Sequence, residues 1–114
     1  MVPGKYNMIC PQGATFSQSM TVYLNDAYLD FTNYTARMQV RETHASDDFI
    51  AELTTENFNI VLDPAFGRIT LTLDAATTAA FTPGEYVYDL EIINGSTVDR
   101  IVEGKFIITP EVTR

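Results

Sequence analysis

Apolar and polar positions alternate along most of this chain, which is the period of a strand with one face buried and the other in water. In TFSQSMTVYL (residues 15–24), Phe16, Met20, Val22 and Leu24 share one face, while Thr15, Ser17, Ser19 and Thr21 share the other. YTARMQVRE (34–42) repeats the pattern, with Tyr34, Ala36, Met38 and Val40 inward and Thr35, Arg37, Gln39 and Arg41 outward. ETHASDD (42–48) reads as a polar loop, and strands are expected over 49–54 and 58–62. DPAFG (63–67) predicts a turn, because Pro64 presets its own φ and Gly67 tolerates a positive one. RITLTL (68–73) then alternates again, and DAATTAAF (74–81) is the one helical candidate, a short turn of small residues that Asp74 would cap.

The last third of the chain predicts two long strands. Tyr86, Tyr88, Leu90 and Ile92 form an inward row, Asn94-Gly95 is a strong hairpin signal, and Val102, Gly104, Phe106 and Ile108 share one face of the return strand. Arg100 has the parity of that buried row. Either a bulge intervenes or the buried part begins after Arg100. Together these segments predict an all-β domain spanning residues 1–114, an antiparallel β-sandwich of about seven or eight strands with at most one short helical turn. AAFTPGEYVY (79–88) sets Pro-Gly and then a tyrosine at the mouth of a long strand. It resembles the corner before a late strand in immunoglobulin-like and fibronectin-like sandwiches, where a tyrosine hydroxyl bonds back across the bend. Tyr86 is the residue expected to do so.

Composition narrows the function classes. The 114 residues are 46% hydrophobic and 19% charged, and no apolar run approaches the roughly 20 residues that a spanning helix needs. No membrane is therefore an expected partner, and fifteen acids against seven bases, a formal charge of −8, repel phosphate backbones, so nucleic acid is not one either. The N-terminus lacks the charged start and apolar core of a secretory signal, and the single cysteine, Cys10, forms no internal disulfide. Both point to synthesis in a cytoplasm.

Candidate chemistry is sparse. His44, the only histidine, falls in the polar loop, and one His with one Cys makes no transition-metal constellation. Asp47 and Asp48 are adjacent without the spacing of a calcium loop. Neither a phosphate-cradling glycine motif nor a nucleophile elbow occurs. The sequons at Asn33 and Asn94 read as turn chemistry. The expectation is therefore a protein that is not an enzyme and takes no cofactor or metal.

What remains is surface. Opposite the core, the last two strands would carry Val87, Asp89, Glu91 and Ile93 on one strand and Ile101, Glu103, Lys105 and Ile107 on the other. Val87, Ile93, Ile101 and Ile107 are thus the candidate protein contact face. Strand propensity alone also places Ile and Val at exposed positions, and the pattern does not separate the two readings.

A resemblance goes further. QGATFSQSMTVYL, FTNYTARMQVRE, AELTTEN, GRITLTLDAATTAAFTPGEYVYDLEI and VEGKFIITPEVTR, in that order, resemble a family of small tailed-bacteriophage structural proteins, similar to the immunoglobulin-like N-terminal domain of phage baseplate upper proteins. The most specific segments are YTARMQVRE, PGEYVYDLEI and ITPEVTR. The resemblance implies a virion protein assembled in the host cytoplasm, with baseplate, tail-fibre or capsid subunits as partners and a homo-oligomer as a further possibility. It carries no catalytic residues over. The alternatives are a capsid decoration protein and a carbohydrate- or host-surface-binding module. The longer members continue into a stalk or receptor-binding domain, whereas this chain stops after the sandwich and is expected to act as a compact block.

Overall fold

The computed structural model describes residues 3–24 and 26–114. Met1, Val2, Asn25 and the side chain of Leu24, which was assigned to a buried face, lie outside the described residues. The strands are β1 (Gly4–Lys5), β2 (Met8–Pro11), β3 (Phe16–Thr21), β4 (Tyr23–Leu24), β5 (Ala27–Tyr28), β6 (Thr35–Arg41), β7 (Phe49–Thr54), β8 (Ile60–Asp63), β9 (Arg68–Leu73), β10 (Gly84–Asn94) and β11 (Thr97–Thr109). Among the described residues there is one helix, α1 (Ala75–Ala79), between β9 and β10. Eleven strand segments stand where about seven or eight were expected, because two-residue pieces at the N-terminus and after β3 pair separately.

The strands form two main sheets. The larger runs β1-β11-β10-β6-β7, with β2 also pairing β11, and the smaller runs β3-β9-β8; β4 and β5 make a separate small hairpin. Neighbours pair antiparallel except β1 and β2, which run parallel to β11 and so depart from the expected all-antiparallel pattern. A hairpin turn fixes the antiparallel sense of β10 and β11, whereas the N-terminal strand reaches β11 from far along the chain and is free of that constraint.

The inward rows read from the sequence meet in one cluster. Met8, Met38, Val40, Leu53, Leu90, Ile92, Phe106 and Ile108 of the larger sheet pack with Phe16, Ile60, Ile69, Leu71 and Leu73 of the smaller. Phe16 and Phe106 meet edge to face between the sheets, with ring centroids 5.4 Å apart. Helix α1 begins where the sequence placed its cap, Asp74 accepting from the Thr77 N–H at 2.8 Å. The buried hydroxyl of Thr78 then donates to the Ala14 carbonyl and accepts from the Gly13 N–H, which fastens α1 to the turn after β2.

The bulge reading of Arg100 is the correct one. Leu90 pairs with Val102 and Glu91 with Arg100, so Ile101 is the extra residue. Past the bulge the parity of β11 inverts, Arg100 lies on the outer face and Ile101 joins the core at 8% exposure. Ile101 is therefore removed from the expected contact face. Two other boundaries differ from the sequence reading. Asn94 pairs with Thr97, so the hairpin loop is Gly95-Ser96 with Gly95 at φ 62°, the glycine-first form of primed turn rather than Asn-Gly. The strand expected from Phe58 begins at Ile60, because the Asn57 side chain accepts from the N–H groups of Thr54 and Asn59 and closes a turn that holds Phe58 at φ 67°.

Candidate functional site

Cross-strand register maps the outer face of the larger sheet row by row. The middle row is Lys5, Glu103, Asp89, Gln39 and Glu52. On one side of it lies the row Arg100, Glu91 and Arg37, and on the other the row Lys105, Val87 and Arg41. Opposite charges on neighbouring strands pair directly: Arg37 Nε lies 2.8 Å from Glu91, Arg100 Nε 3.3 Å from Asp89, and Lys5 bonds to Glu103. Lys105 reaches Glu85 at 3.2 Å, and Arg41 is held by Gln39 and the Ser46 carbonyl. Asp89 is pushed above the usual carboxylate range, first by burial and then by Glu91 and Glu103, against the opposing pull of Arg100 and His44. This face is a lattice of mutually satisfied charges over a shallow depression of about 430 Å³.

The structure disperses the apolar residues predicted to form a contact face. Val87 lies between Lys105 and Arg41, Ile107 beside Ile9 at the edge, and Ile93 beside Val98 near the hairpin. Six residues along β10 separate Val87 from Ile93, roughly 20 Å of strand. Each of the three is half-buried, and their separation along the sheet keeps them from making one patch.

A contiguous apolar surface lies elsewhere. Tyr23 and Tyr28 pair across the β4–β5 hairpin with ring centroids 5.3 Å apart, and Phe66, from the turn between β8 and β9, meets Tyr28 edge-on at 6.4 Å. All three rings stay about half exposed: Tyr23 61%, Tyr28 53%, Phe66 54%. Gly67, at φ 59°, brings this end together, because its missing Cβ lets Val22 and Leu29 approach within about 3 Å of where that atom would stand. Beside Tyr23 a cleft of about 530 Å³ opens between β1 and β3, lined by Tyr6, Met20, Val22, Ile101 and Val102. The alternation reading missed this surface. Asn25-Asp26 falls between Tyr23 and Tyr28 in the sequence, a turn-type dipeptide that would have suggested pairing them.

The remaining candidates are placed as follows. His44, Asp47 and Asp48 are exposed in the loop between β6 and β7, and Asn33 takes the turn conformation its sequon suggested, at φ 68°. Cys10 is fully buried on β2, where burial pushes its thiol up to about 11. Among the described residues no group of three or more His, Cys, Asp or Glu side chains converges as metal ligands do, and no helix is long and apolar enough to cross a membrane. No protein-family model matches the chain, and no curated protein is significantly similar to it.

Proposed function

We propose that this chain is a non-enzymatic structural component of a tailed-phage virion, in the tail or baseplate, that joins fibres or neighbouring subunits through an immunoglobulin-like sandwich. Three features support the sandwich. They are the facing strand orders, the short helix between β9 and β10, and the Tyr86 hydroxyl donating to the Thr82 carbonyl at 2.6 Å, the bond expected of a tyrosine at such a corner. The viral assignment draws on the family resemblance. The observation that carries the contact role is the half-exposed aromatic group Tyr23, Tyr28 and Phe66 beside an open apolar cleft. Aromatic anchors of this kind are enriched in the centres of protein interfaces.

Chemical cross-linking of intact particles tests the reading. Lys5 and Lys105 are expected to link to tail or fibre subunits. Links to head subunits alone would decide for the capsid-decoration alternative, and particles without the chain would remove the virion assignment. The same aromatic group favours a second reading, a carbohydrate-binding surface, since exposed rings also stack on sugars. A glycan-array signal abolished by Tyr28→Ala would establish it.

A further inference from the structure

We propose that β3 is the edge through which two copies of this chain pair, antiparallel, about a two-fold axis at Ser19. The inference concerns the isolated protein and does not rest on the virion reading.

An open strand edge presents unpaired N–H and C=O groups that template another strand, and proteins block such edges with charge, proline, bulges or brevity. Of the four edges of the two main sheets, three are blocked. The β1–β2 edge contains Lys5 and Pro11 and is interrupted at Tyr6-Asn7, where the Asn7 side chain takes the Lys105 N–H. The β7 edge is bulged at Ile50 and carries Glu52. The β8 edge has only four residues and ends in Asp63 just before Pro64. β3, Phe16–Thr21, has no charge, no proline and an unbroken register with β9.

The hydrogen-bond parity shows which groups β3 leaves free. The Val22 N–H donates to the Gly67 carbonyl, so the even-numbered residues of this segment turn their backbone groups toward β9. Thr72 on β9 donates instead to Asn59 on the β8 side, which is consistent with that alternation. Ser17, Ser19 and Thr21 therefore point their backbone groups outward, and the Gln18 amide reaches the Ser19 carbonyl at a long 3.4 Å.

The register of a second copy matches along this edge, which borders the open cleft between β1 and β3. Pairing Ser19 with the partner's Ser19 sets Ser17 opposite the partner's Thr21, and Gln18 opposite the partner's Met20. Every pair then matches outer face with outer face and inner with inner, as a sheet requires. The outer pairs are hydroxyl residues, a favourable cross-strand combination. Electrostatics favours the same approach. Although the chain carries −8, the strands of the smaller sheet hold only Asp63 and Arg68, which sit opposite each other. Two acidic copies can meet there with no like charges in register.

Sedimentation of the purified chain from micromolar to millimolar concentration tests the pairing. A monomer–dimer equilibrium is expected. Ser19→Lys sets two like charges on the axis and should weaken the dimer by about tenfold or more. An equimolar mixture of Ser19→Lys and Ser19→Glu should restore a mixed dimer. Because Ser19 is exposed in the monomer, both variants should keep the parent circular-dichroism spectrum, and Ser19→Cys should cross-link under oxidation while Lys105→Cys does not. A chain that stays monomeric at millimolar concentration overturns the proposal, and so does a dimer indifferent to Ser19→Lys.

Discussion

The two sheets of this protein treat water in opposite ways. The larger covers its outer face with crossed ion pairs and blocks its edges, while the smaller is nearly uncharged and leaves β3 open. Exposed ion pairs typically contribute only ~0–1 kcal/mol each, so the charged lattice is better understood as a surface that stays solvated than as a source of stability. The comparison teaches that apolar content alone does not locate a contact surface. Val87, Ile93 and Ile107 are apolar yet spread apart on a charged face, whereas Ser17, Ser19 and Thr21 are polar yet border unpaired backbone.

The link between the sheets is the first thing to break. Phe106→Ala removes a fully buried ring that contacts Phe16, and should lower the unfolding free energy in urea by about 4 kcal/mol. Such a loss would show that the two unlike sheets stand only by sharing this core.

The blocked edge can be converted toward the open one. A Cβ at Gly104 would fall 2.2 Å from the Tyr6 carbonyl, so Gly104→Val should cost about 3 kcal/mol as the N-terminal strand is displaced from β11. Tyr88→Phe is milder. The Tyr88 hydroxyl, whose proton burial holds more firmly than in water, donates to that same carbonyl at 2.6 Å. Losing this bond should cost about 1.5 kcal/mol. Amide exchange should then quicken at Tyr6 while β3, already open, is unchanged.

Buried and exposed acids should differ in their pH dependence. Folded Cys10 keeps its proton to about 11, against 9.0 for the ordinary thiol, so its stabilising contribution is complete below pH 9 and is lost as pH rises toward 11. Urea titrations should show this decline in the parent and a shallower one in Cys10→Ala. Asp74, held below the usual carboxylate range by Thr77, acts in the opposite sense: its contribution is present above its ordinary pKa and is lost as pH falls through the folded value. The smallest effect is expected at the charged lattice, where Arg37→Ala should change stability by no more than about 0.5 kcal/mol and less in high salt.

Some features needed only neighbours along the chain. The alternation of Ala36, Met38 and Val40, the Asp74 cap, the turn at Gly67 and the bond of the Tyr86 hydroxyl back across its bend appear where the sequence placed them, and the late hairpin forms one residue further on. Each depends on covalent geometry or on a partner a few residues away. Ile101 was misplaced because the parity of Arg100 signalled a bulge without showing which residue it displaces, which the pairing of β11 with β10 decides. The tyrosine surface was missed because Phe66 joins it from a turn about forty residues further along. By itself the sequence determined the long strands and most of their buried faces and turns, since those follow from side-chain period and backbone conformation. Only the tertiary structure decided which edge stays open and which apolar residues come together, because both depend on strands that are distant in the chain and adjacent in space.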